Sequence, residues 1–127
     1  MPTIKRAIEI KFVRAGIHCF PAAATRTDLA TGEWDDVSFL AHPHHHYFHF
    51  IVVLEVAHND RDVEFIQFQR WCERLYEAGT LQCNSKSCED LAEELIQQIN
   101  ARYPDRVIKV SVFEDNINGA HLEFKPW

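Results

Sequence analysis

Between Thr3 and Arg14 apolar and polar residues alternate, with Ile4, Ile8, Ile10 and Phe12 set against Lys5, Glu9 and Lys11. A period near two predicts a strand buried on one face. Residues 21–36, PAAATRTDLATGEWDD, collect Pro, Ala, Thr, Asp and Gly without periodicity and predict a loop at a strand turnaround. A second extended region starts near Val37 and, after Pro43, runs through HHHYFHFIVVLEVAH to His58. Its aromatic and β-branched content predicts a long strand antiparallel to the first, with HNDRD at 58–62 as the exit turn.

The period then lengthens. Phe65, Phe68, Trp71 or Cys72 and Leu75 recur every three or four residues, and Gly79 supplies a stop, which predicts a helix over about 63–78. Residues 80–86 read as a polar connection. Ser87 precedes CEDLAEELIQQINARY, where Leu91, Leu95, Ile96 and Ile99 share a face and Glu89 and Asp90 occupy the first turn, so a second helix is predicted over about 88–102. Pro104 and Asp105 end it. Alternation resumes from Val107 to Glu114 as a strand, DNINGA forms a turn, and His121–Phe124 closes the order β-β-α-α-β-β. The expected fold class is α+β, a single domain over residues 1–127, with an antiparallel sheet and two helices packed on one face.

Charge removes some functions from consideration. The chain carries Lys+Arg 13 against Asp+Glu 19, a net charge of −6, and has no Lys/Arg run longer than a pair. Phosphate-backbone binding depends on clustered cations, so nucleic acid is not an expected partner. The longest apolar stretch, Phe50 to Val56, is broken by Glu55 and is far short of the roughly 20 residues of a membrane span. The N-terminal alternation differs from a signal peptide, and a cytoplasmic protein without membrane contact is the expectation. Cys19, Cys72, Cys83 and Cys88 contain no CxxC pair and are expected as free thiols.

Chemistry concentrates in His42, Pro43, His44, His45 and His46. Side chains alternate across a strand, so His44 and His46 share a face while His45 points away. Two imidazoles at that spacing form a bidentate metal clamp. His18, at the end of the first extended segment, would neighbour them if the two strands pair. Three imidazoles with an open fourth position describe a catalytic type of zinc site. A solvated edge, a partner surface or a pH-sensing interface is the other reading of the same histidines.

An upstream His, an HxH strand, an acid-Phe pair opening one helix, a Ser-x-Glu opening the next and a Glu ending the third strand together resemble the 6-pyruvoyl-tetrahydropterin synthase family. That family includes the 6-carboxy-tetrahydropterin synthases of 7-deazaguanine synthesis. The resemblance covers nearly the whole chain. It implies that His18, His44 and His46 hold Zn²⁺, and that VEF at 63–65 and KSCE at 86–89 stand where the family has its helix-opening motifs. It further implies that Glu114, in VFED, anchors a 2-amino-pyrimidinone ring edge, aided by Glu89. A carboxylate matches a ring N–H and an exocyclic amine with two parallel hydrogen bonds. Read without the family, Glu114 is a strand residue beside a turn and Glu89 a helix-dipole partner.

Two departures qualify the resemblance. The family's catalytic Cys lies four residues before the first His of HxH, where this chain has Leu40, and its Asp-His pair has no counterpart in EAGTLQCNSKS. No catalytic residue is therefore assigned. His45, His121 and Glu64 are the substitute acids or bases on offer. The resemblance implies a T-fold, a homo-oligomer (trimer or hexamer), a Zn²⁺ cofactor and a pterin- or deazapurine-like small molecule. Either the chain is a zinc-dependent lyase of the pterin synthase type with an altered reaction, or it is a non-catalytic T-fold paralogue.

Overall fold

The computed structural model describes residues 2–24 and 37–127. Most of the turnaround loop expected at 21–36 lies outside them, and Pro21–Ala24 form a 3-10 turn. The elements run β1 Ala7–His18, β2 His44–Glu55, α1 Phe65–Arg74, β3 Leu81–Asn84, α2 Cys88–Arg102, β4 Ile108–Glu114 and β5 Asn118–Phe124. Ser38–Ala41 make a second 3-10 turn immediately before β2.

The molecule is α+β, but its sheet is mixed, in the order β3-β1-β2-β4-β5. The antiparallel expectation fails at one edge. The segment read as a polar connection contains β3, which pairs parallel to β1. Leu81 and Cys83 turn inward while Gln82 and Asn84 face out. Half of a four-residue strand is thus polar, which is why composition alone disguised it.

One face of the sheet carries the core. Ile10 and Phe12 of β1, Phe48, Phe50, Val52 and Leu54 of β2, and Ile108, Val110 and Val112 of β4 are buried at alternate positions. Both helices cover that face. Phe68 and Cys72 come from α1, and Leu91, Ala92, Leu95, Ile96 and Ile99 from α2, all joining one apolar cluster. Burying a side chain of this size is worth about 1.5–3 kcal/mol over leaving it exposed, so the shared face outweighs local propensity in fixing register. Phe65 and Leu75, expected on the α1 stripe, are exposed.

Local chemistry sets the ends of the elements. Glu64 caps α1 by accepting hydrogen bonds from Ile66 N–H and Gln67 N–H. Ser87 and Asp90 form a reciprocal capping box at α2. Between β4 and β5, Asp115 and Asn116 take φ of 51° and 59°, and Ile117 N–H donates to the Glu114 carbonyl at 3.0 Å. Asp and Asn tolerate this left-handed conformation, which a tight hairpin requires. The closing strand therefore begins at Asn118, earlier than expected, and Gly119 lies inside it, where a Cβ would stand 2.2 Å from the Val112 carbonyl oxygen.

β1 ends four residues later than its alternation predicted, because β2 pairs with it down to His44. The antiparallel register sets His18 opposite His44 and Gly16 opposite His46. β4 lies on the other side of β2, pairing Glu114 with Phe48. Among the described residues, no helix is long and apolar enough to cross a membrane.

Candidate metal centre

Register builds the centre. His18 stands across the ladder from His44, and His46 follows two residues along β2 on the same face, so three imidazoles meet at one end of the sheet. Their ring centroids are 4.6 Å apart for His18 and His44, 5.3 Å for His18 and His46, and 4.9 Å for His44 and His46. One nitrogen from each ring lies within 4.8 Å of the others. The buried ring of Phe48 packs edge-on against both His18 and His46. A Cβ on Gly16 would come within 2.8 Å of that ring, so the glycine makes room for the floor of the site.

Each imidazole is oriented through Nδ1. His18 Nδ1 lies 2.9 Å from the Lys86 carbonyl, His44 Nδ1 2.8 Å from the His42 carbonyl, and His46 Nδ1 2.6 Å from Asp115 Oδ2. A carbonyl has no proton to give, so Nδ1 of His18 and His44 must be the donor. The Asp115 carboxyl is held below the usual carboxylate range by His46 and then by Tyr47 N–H, so it too accepts. In the neutral rings, all three Nε2 atoms therefore keep their lone pairs. Fixing the tautomer through the far nitrogen is the arrangement by which proteins prepare histidine as a metal ligand.

A metal fits this donor set. His18 is only 7% exposed, and the buried Nε2 atoms of His18 and His46 have no hydrogen-bond partner. Unpaired buried nitrogens are costly, and a divalent cation of the zinc type satisfies imidazole donors in this arrangement. Glu114 stands against them, with Oε1 3.2 Å from His18 Nε2 and Oε2 3.4 Å from His46 Nε2. Those are ion-pair distances without hydrogen-bond alignment. The proximity still acts on both groups: Glu114 raises the His18 pKa against the opposing effect of burial. His18 in turn lowers that of Glu114.

Beside the cluster lies a cavity of about 480 Å³, within the range of small-molecule sites. His18, His44, Glu114 and Glu89 all line it, and Glu89 is an exposed residue there. Leu40 lines it too, as do Cys19 and Cys88. The Cys88 thiol lies 3.7 Å from Glu114 Oε1, and burial followed by the Glu114 charge pushes its pKa up to about 12. It is a thiol at neutral pH and a poor base.

The substitute acids and bases lie elsewhere. Glu64 is occupied as the α1 cap, and the hydrogen bonds from Gln67 and Ile66 N–H hold its carboxyl below the usual range. His121 contacts Ser111 at 2.6 Å, and His45 packs on Tyr47. None of the three lines the histidine cavity. All four cysteines are free, as expected. Sequence reasoning missed Asp115 and the Lys86 and His42 carbonyls. Only the acidic pair Glu114-Asp115 at a strand end offered a signal for the first. No protein-family model and no curated protein matches the chain.

Proposed function

We propose that the chain is a zinc-binding T-fold protein similar to the 6-pyruvoyl- and 6-carboxy-tetrahydropterin synthases, taking a pterin- or purine-like heterocycle. The observation that carries this reading is the convergence of three Nδ1-anchored histidines beside Glu114, at the edge of a cavity that His18, His44 and Glu114 line. His18, His44 and His46 would hold the ion. Bound there, zinc would supply polarisation of a coordinated substrate oxygen. Glu114 accepts hydrogen bonds from the ring edge, and Glu89 at the rim of the cavity assists. The same reading makes the protein a homo-oligomer, a trimer or hexamer. Val13 and Tyr47, both about half exposed on the sheet face away from the helices, are consistent with a covered surface there.

A second reading, a non-catalytic paralogue on the same scaffold, draws on Leu40 in the cavity wall and on the high pKa of the Cys88 thiol. The two part on turnover, and the second keeps the scaffold with or without the metal. The test is metal content per chain, by elemental mass spectrometry after dialysis without chelator. About one zinc per chain is expected in the wild type, with loss in His46→Ala. No stoichiometric metal after zinc reconstitution would sink the zinc-dependent reading and favour the non-catalytic paralogue.

A further inference from the structure

A carboxylate, Glu114, stands against two of the three histidines. We infer that Glu114 is a metal ligand in the resting protein, so that the centre is closed by His18, His44, His46 and a carboxylate oxygen and opens only when that oxygen is drawn away. The inference rests on the metal reading proposed above and extends it to how access to the ion is controlled.

Nδ1 of each histidine is engaged with an acceptor, so the neutral rings turn lone pairs toward the centre. Glu114 turns its carboxylate oxygens toward two of those same atoms, and no hydrogen bond links them. Two electron-rich atoms facing each other at this range repel unless a proton or a metal cation lies between them, and a metal ion would serve both carboxylate contacts at once.

Two distances match a tetrahedral edge. Zinc bonds of about 2.0–2.1 Å to nitrogen and oxygen place adjacent tetrahedral ligands about 3.3–3.4 Å apart. The Nε2 to oxygen separations are 3.2 and 3.4 Å. Glu114 is thus one such edge away from His18 and from His46. The backbone enforces the placement. Glu114 is the last residue of β4, aligned across the ladder with Phe48, whose ring supports His18 and His46. Cys88 Sγ, 3.7 Å from Oε1, steadies the carboxylate from the side of α2.

A consequence concerns the heterocycle. A carboxylate bound to the metal cannot at the same time offer both oxygens to a ring edge. Arrival of a ring with a 2-amino-pyrimidinone edge would compete for Glu114 and vacate a coordination position as it docks.

The test uses cobalt(II) and zinc alone on the full-length protein. Cobalt(II) in the wild type is expected to give the intense visible bands of a four-coordinate site. Glu114→Gln is expected to keep about one metal per chain, lose about tenfold or more in zinc affinity by chelator competition, and shift the cobalt bands as water replaces the carboxylate. Circular dichroism verifies that the variant is folded, and should it unfold, Glu114→Asp, one methylene shorter, is read the same way. Wild-type affinity with an unchanged spectrum overturns the inference. Weakened affinity with an unchanged spectrum also overturns it, because Glu114 would then act as a neighbouring charge outside the coordination sphere. A wild type that binds neither metal removes the proposed function itself, a result distinct from failure of the Glu114 assignment alone.

Discussion

A histidine whose Nδ1 proton is committed to a fixed acceptor has its other nitrogen committed as well, and at this centre that happens three times. His46 depends on a side chain, Asp115, whose second oxygen accepts Tyr47 N–H at 2.8 Å and so cannot swing away freely. Asp115→Ala should leave the three imidazoles in place yet lower zinc affinity about 10- to 100-fold, measured by competition with a chromophoric chelator. Unchanged affinity would show that His46 needs no such partner. The pair His44 and His46 was legible because strand alternation puts i and i+2 on one face, and His18 because paired strands align their ends. The orienting acceptors were not legible. Two are backbone carbonyls, of Lys86 and His42, and a carbonyl is the same in every residue.

Among the elements, α2 was readable to its ends because its signals are local: a Ser cap, an Asp three residues on, and a Pro after the last turn. α1 is shorter than its period suggests, because Glu64 caps it at Phe65 and it ends at Arg74, and Leu75, on the period, is exposed beyond its last turn. β3 was invisible for a different reason. Its partner residues, Gly16 to His18, lie far upstream, and no short window contains both. The segments beyond β2 are tied by charge. Asp62 Oδ2 accepts from Ala57 N–H at 2.7 Å and from Arg106 at 2.8 Å, and Arg106 also donates to the Glu55 carbonyl. The Arg106 guanidinium, then Ala57 N–H, holds the Asp62 carboxyl below its ordinary value of 3.8. A depressed folded pKa means stability present above the unfolded value and lost as pH falls through the folded one. Asp62→Asn should therefore lower the urea midpoint at pH 7, with the gap to wild type closing below about pH 4. A gap independent of pH would assign the loss to packing instead.

For the whole molecule, a bound ion would join β1, β2 and, through Glu114, β4. A ligand held only by the folded state stabilises it by about 2.7 kcal/mol at a hundredfold excess over its dissociation constant. Zinc should accordingly raise the melting temperature of the metal-free protein, and His46→Ala should abolish the rise while retaining a cooperative transition. A wild type whose melting temperature ignores zinc would contradict this. The α+β class and the single apolar core were accessible from periodicity, since nearly every buried strand position is every second residue. The mixed character of the sheet was not, because strand order is a matter of distant pairing.

The register of the first two strands also dictates an order of events during synthesis. His18, His44 and His46 all belong to the hairpin of β1 and β2, so they meet as soon as that hairpin closes. Glu114 arrives only when β4 docks against β2, after both helices have left the ribosome. Synthesis thus supplies all three imidazoles well before the carboxylate, and a hairpin that closed at that stage would hold them with the fourth position open.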